Sequence, residues 1–410
     1  MYLASVERPV APKATKAATI AANVLALGTV SLVTDVSSEM VTAILPLYLV
    51  AGLGLGPAVY GLVDGLYTGA TALLRLVGGY VADRVRRRKL VAGLGYGISA
   101  VAKAGLLLAG GSLTGIGAAI VADRAGKGLR TAPRDALITL STPADGLGRA
   151  FGVHRAMDSA GAFAGPLVAI GVLAASAQAF DAVFVTSGCI ATIGVLVLIL
   201  FVRDRPASCR TDKPVDVRRA AALLRRGPIR MLLAGAVLLG LSTIGDGFVY
   251  LLLQRREELA TGWFPLLAVG TSLAYLVFAV PLGALADRLG RTRVFLAGYA
   301  ALLAVYLILA TSWSGPGALV TALLLYGVFY AATDGVLMAV AGPLLPPELR
   351  TTGLALIQTG QALAYLLSSV LFGLAWQWWG APGAIRAAAA TAALTLAGSA
   401  TMLLRTRPAS

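Results

Sequence analysis

Apolar blocks recur along the whole chain, broken by charge runs and by Gly/Pro clusters. A bilayer core is ~30 Å thick and takes roughly 20 apolar residues of helix to cross. Read against that length, the pattern predicts twelve spans, centred near residues 35, 70, 100, 126, 164, 192, 241, 275, 303, 330, 365 and 394. The fourth is the least apolar, because "DRAGKGLRTAPRD" (123–135) falls inside it.

Charge in the connecting segments sets an expected orientation. "DRVRRRK" (83–89), "DRLGRTR" (287–293), the stretch 203–230 and both ends are basic, whereas the loops near 52–57, 110–113, 312–317 and 380–384 carry no charge. The two kinds alternate, which predicts cytoplasmic termini and an inner (plasma) membrane location. "QRREELATGW" (254–263), on the expected outer side, is charged but balanced. The stretch 203–230 holds nine Lys/Arg, three Asp and three Pro and reads as a linker. The expected organisation is a tail over 1–19, a six-helix bundle over 20–202, a basic linker over 203–228, a second bundle over 229–404 and a tail over 405–410.

Composition agrees with the pattern. The 410 residues are 58% hydrophobic and only 13% charged. Such a chain belongs among polytopic α-helical membrane proteins. The net charge of +15 clusters between the apolar blocks, so it reads as topology rather than nucleic-acid binding. Cys189 lies in an apolar block and Cys209 in the linker, a spacing that predicts neither a metal site nor a disulfide.

The two halves echo each other. "GGYVADRVRRRK" (78–89) corresponds to "GALADRLGRTR" (283–293), with Asp83 and Asp287 separated by 204 residues. Asp35 corresponds to Asp246 and Asp123 to Asp334, each pair separated by 211. Nearly one offset for three acids indicates internal duplication, as in transporter halves. At these residues the chain resembles the major facilitator superfamily. Its cytoplasmic motif is matched by Gly79, Asp83, Arg84, Arg87 and Arg88, and again by Gly283, Asp287, Arg288, Gly290 and Arg291, with Arg86 replacing a usual Gly. The resemblance implies an all-α membrane protein, with twelve transmembrane helices in two pseudo-symmetric six-helix bundles around a gated cavity. It also implies that these motif residues form cytoplasmic gate contacts.

Candidate chemistry lies inside the apolar blocks. Asp35 and Glu39 are four apart and share a helical face. Two carboxylates that close cannot easily both ionise in low dielectric, which suits proton coupling. Asp123, Lys127, Arg130 and Arg134 form one stripe on the fourth span, with Arg124 beside it. By the resemblance, Arg124 faces the cavity and modulates a first-span carboxylate, while Lys127 stands where the family carries Gln. Asp123, Lys127, Asp246 and Asp334 are expected to line the cavity. Arg130, Arg134 and Asp135 are expected in gate pairs near the cytoplasmic end. His154, the single histidine, reads as structural beside Arg155 and Asp158. Asp64, Arg75 and Lys103 rank low as structural or coupling candidates. Gly161, Gly165 and Pro166 resemble the fifth-helix motif of proton-coupled exporters, although Ala169 and Ile170 stand where that motif has a Gly pair.

A phosphate-cradling Gly-rich Lys loop, a His/Cys metal cluster and a serine nucleophile elbow are all missing, so neither an enzyme nor a cofactor is expected. The reading is a proton-coupled secondary transporter whose partners are a small organic substrate, protons and lipid. Protonation of Asp35, tuned by Glu39 and Arg124, would drive it. An anionic metabolite attracted by the fourth-span stripe is one alternative. Divalent-cation efflux through Asp35, Glu39 and Asp123 is another.

Overall fold

The computed structural model describes residues 21–85, 87–142, 147–204, 227–333, 336–341, 344 and 350–405. Asp334, Cys209, most of the linker and both tails lie outside the described residues. The described chain is helical, without strands. The elements are α1 Ala22–Leu47, α2 Pro57–Val85, α3 Arg88–Leu108, α4 Leu113–Leu140, α5 Leu147–Ala175 and α6 Phe180–Phe201. They continue with α7 Gly227–Leu241, α8 Asp246–Arg256, α9 Pro265–Leu289, α10 Arg291–Ala310, α11 Pro316–Thr333, α12 Val336–Ala341 and α13 Arg350–Arg405.

Among the described residues, nine stretches are long and apolar enough to cross a membrane, against the twelve expected. The difference has two physical sources. Helix α4 is absent from that set because Asp123, Arg124, Lys127 and Arg130 dilute its apolar character, while much of α2 lies outside the described side chains. The last stretch, Leu356–Leu404, has 49 residues. At ~1.5 Å per residue, that is more than twice a ~30 Å bilayer core. It is broken at Gly380, whose φ of 70° and ψ of 171° lie where a side chain is strained.

Helix packing follows from small residues at the crossings. Helix α1 lies against α5 and α6, α3 against α4 and α6, and α2 against α4. In the second half, α7 packs on α13, and α11 on α9 and α10. Gly161 and Gly165 bring α5 onto α1: a Cβ on Gly165 would stand 2.8 Å from the Val36 carbonyl oxygen. Pro166 lies inside the same helix. The halves meet chiefly through α2 against α13 and α5 against α9. At the first seam, Gly373 faces the Pro57 backbone, and Gly61 and Gly65 face the backbone near Ser369 and Leu366. Outward-facing Val101, Leu108, Leu200, Val280 and Leu394 are exposed, as lipid-covered positions are.

Candidate functional site

The polar side chains of the apolar spans gather into two neighbourhoods. The first lies among α1, α4 and α5. Asp35, nearly buried on α1, has its nearest cation in Arg130 of α4, at 3.9 Å between Nη2 and Oδ1. Lys127 is within electrostatic range, and the Asp158 carboxyl of α5 lies within hydrogen-bonding reach of Asp35. Two carboxyl groups can share a hydrogen bond only when one of them carries a proton. Asp158 Oδ1 is buried without a hydrogen-bond donor, with Arg134 Nη1 at 3.7 Å.

Arg130 and Arg134 hold this neighbourhood together. Arg130 donates to Ser99 Oγ at 3.2 Å and lies over the Tyr96 ring at 4.5 Å. Arg134 donates to Asp135 at 3.0 Å and to Ser31 Oγ at 3.2 Å. His154, almost fully buried, shares a 3.0 Å hydrogen bond with Ser31. Arg130 and Arg134 therefore join α4 to α1, α3 and α5 inside one half of the molecule. Both side chains thus form inter-helix pairs, turned inward to buried acceptors that offer charge-assisted bonds.

Asp123 and Arg124 also find partners that spacing could not show. Lys103 of α3 donates to Asp123 Oδ1 at 2.8 Å, and Arg124 holds the other carboxylate oxygen. All three side chains are nearly fully buried. Arg124 also lies 3.8 Å over the ring of Tyr67 on α2, whose hydroxyl bonds Thr42 of α1 at 2.5 Å. Glu39 lies within electrostatic range of Arg124. Glu39 is thus the first-helix acid within electrostatic range of Arg124, while Asp35 faces Lys127, Arg130 and Asp158. With Asp123 engaged by two cations, Asp35, Glu39 and Asp123 do not converge, and the described residues contain no group of acids, His or Cys suited to a metal ion.

The second neighbourhood lies between the halves. The seventh span is broken: α7 ends at Leu241, and α8 begins at Asp246. Tyr306 holds the break, donating to the Ser242 carbonyl at 3.1 Å and accepting from the Ile244 N–H at 2.9 Å. Asp246 accepts from the hydroxyls of Tyr326, at 2.6 Å, and Tyr330. Its place in the first turn of α8 also suits a negative charge. Asp64 of α2 receives Ser369 Oγ of α13 at 2.5 Å and the Tyr60 hydroxyl at 3.4 Å, with Tyr365 close by. Asp64 and Asp246 lie within electrostatic range of one another, and Asp246 within range of Glu39. Among the described residues, no Lys or Arg forms an ion pair with Asp64, Asp246 or Glu39.

Sequence reasoning ranked Asp64 low and overlooked its tyrosine neighbours. A signal existed: Asp64 is followed by Gly65 and preceded at three residues by Gly61, much as Asp246 stands between Gly245 and Gly247. The gate motif is only partly visible. Gly79, Asp83 and Arg84 fall on α2 and Asp287 on α9, but the side chains of Arg75, Asp83, Arg84 and Asp287 lie outside the described residues. Arg87 is exposed before α3; Arg88 begins that helix with Nε and Nη1 buried and unpartnered. Gly283 faces open space, Arg288 is exposed at the end of α9, and Gly290, at φ 100°, turns the chain into Arg291 of α10.

A family model described as Major Facilitator Superfamily matches residues 27–267 and 256–410. An uncharacterized MFS-type transporter of Methanocaldococcus jannaschii is 33% identical over 367 residues, covering 87% of this chain and 88% of that one. An uncharacterized protein of Mycobacterium tuberculosis is 38% identical over 157 residues, 38% of each chain. Among solved structures, the nucleoside transporter NupG superposes with a TM-score of 0.80 at 14% identity, over 92% of this chain and 99% of that one. A POT family transporter in complex with 5-aminolevulinic acid gives 0.79 at 13% identity, over 94% and 97%. At these identities the structural matches establish the fold.

Proposed function

The chain belongs to the Major Facilitator Superfamily and is a secondary transporter, not an enzyme; we propose that it is proton-coupled and exports a small organic compound from the cell by alternating access. The observation that carries the coupling is the Asp35–Asp158 pair. Two acids from different helices lie against each other, under the influence of Lys127, Arg130 and Arg134. Gain or loss of one proton there changes which of these groups hold α1, α4 and α5 together. Glu39, within electrostatic range of Arg124, links this core to the space between the halves.

The compound binds in that space, against Asp246 and Glu39, with Tyr67, Tyr330 and Tyr365 as its aromatic walls. The two halves rock about this site as two six-helix bundles. Asp64 and Ser369 form the contact that closes one end, the end at which α2 meets α13 and Gln178 meets Gly262. That end carries the uncharged loop 52–57, so in this reading it faces outward. Export is supported by Gly161, Gly165 and Pro166 on α5.

The test is reconstitution into liposomes with an internal pH-sensitive dye and a panel of cationic, neutral and anionic organic compounds. One compound should move protons as it crosses, and an imposed pH gradient should drive it uphill. Uphill movement indifferent to the gradient would refute proton coupling. One observation favours a second reading, an anionic metabolite as cargo: Lys127 is half-buried and forms no ion pair among the described residues. In that case the anionic members of the panel are the ones transported.

A further inference from the structure

A groove of about 770 Å³ runs along the outer surface of α3, away from both polar neighbourhoods. Gly93, Gly97 and Gly105 of α3 form its floor with Ala118 and Ala122 of α4, and Leu94 and Val101 stand exposed at its edges. From Leu90 to Gly105 it covers fifteen helical steps, about 22 Å at ~1.5 Å per residue. That exceeds one leaflet, half of a ~30 Å core.

The end of the groove is marked by charge. Arg87 immediately precedes α3, is exposed and forms no ion pair among the described residues. It caps the N-terminus of α3 three residues before Leu90, the first residue of that helix to line the groove. It belongs to the basic stretch 83–89.

We propose that this groove binds an anionic phospholipid, with one acyl chain along α3 and the headgroup phosphate on Arg87. The groove has room for an alkyl chain, and the cation at its end favours an anionic headgroup over a second apolar helix, which would bring no partner for that charge. Lipid tails are as apolar as leucine, so the groove alone does not choose among lipids. Selection comes from the headgroup, because guanidinium presents a planar fork of donors to phosphate oxygens. Basic segments at the cytoplasmic surface also meet the leaflet richest in anionic lipid.

Native mass spectrometry of the purified protein, with phosphatidylglycerol or phosphatidylcholine of matched chains added, tests the site. The unaltered protein should retain phosphatidylglycerol several-fold more than phosphatidylcholine. Arg87→Gln should level the two. Gly97→Phe should lower retention of both, because its ring fills the groove; a Cβ at Gly97 has no neighbour within 4 Å, so the fold tolerates it. An undiminished preference in Arg87→Gln, or unchanged retention in Gly97→Phe, overturns the proposal. Disulfide formation between two copies carrying Gly97→Cys would overturn it too, since a second copy would then fill the groove.

Discussion

The buried charges differ in how well each is compensated, and that difference separates structural from working residues. Asp123 has Lys103 on one oxygen and Arg124 on the other, a closed triplet that locks α3 to α4. Losing one member of a buried ion pair costs ~3–5 kcal/mol. Lys103→Met should cost less, on the order of 2 kcal/mol, because Arg124 remains on the carboxylate. The measurement is thermal unfolding in detergent, and an unchanged midpoint would contradict the triplet. Among the described residues, Asp64 is held by hydroxyl groups alone, with Ser369 across the seam. Ser369→Ala should therefore change the balance between open and closed ends while leaving folded yield intact. Charged residues amid apolar ones were legible in the sequence because membrane burial makes them costly. Their partners were not. Spacing places Asp35 and Glu39 on one face of one helix, but tertiary packing decides that Asp35 lies near Asp158 and Arg130, while Glu39 forms no ion pair among the described residues. The tyrosines around Asp246 lack a distinguishing signal, since a tyrosine in an apolar block is ordinary core.

At the scale of the helices, small residues decide how closely the elements approach. On α5, Gly161 and Gly165 face the α1 backbone, whereas Gly171 has no neighbour within 4 Å. Gly165→Leu should push α1 from α5, displacing Asp35 from Asp158, and lower both stability and transport. Gly171→Leu, on the same helix, should change neither. Size-exclusion profiles after a heating series distinguish the two, and equal behaviour would show that the α1–α5 crossing tolerates separation. The sequence indicated where these helices lie, because twenty apolar residues in a row have few other destinations. It did not indicate the break at Ser242–Gly245, since neither proline nor a charge run marks it. Tyr306, from another helix, satisfies the backbone freed there.

For the whole molecule, the account requires that the contacts between halves form and break. A cysteine pair at Gln178 and Gly262 reports on one end, since a Cβ on Gly262 would lie 2.8 Å from the Gln178 side-chain nitrogen. With Cys189 and Cys209 replaced by serine, Gln178→Cys with Gly262→Cys should cross-link under oxidation. Transport should stop and then return on reduction. Full transport by the cross-linked protein would mean that this end does not open. The repeated acids in the sequence predict two related halves, and the first and seventh spans differ in form: α1 runs unbroken through Asp35, while α8 starts at Asp246.

The most direct measurement compares the parent protein with Asp35→Asn in liposomes, following exchange of labelled compound and uphill accumulation driven by a pH gradient. The account predicts that exchange survives in Asp35→Asn, because the binding space and the seam are intact, while gradient-driven accumulation is lost. Accumulation equal to that of the parent protein would contradict it and leave Asp35 a structural acid.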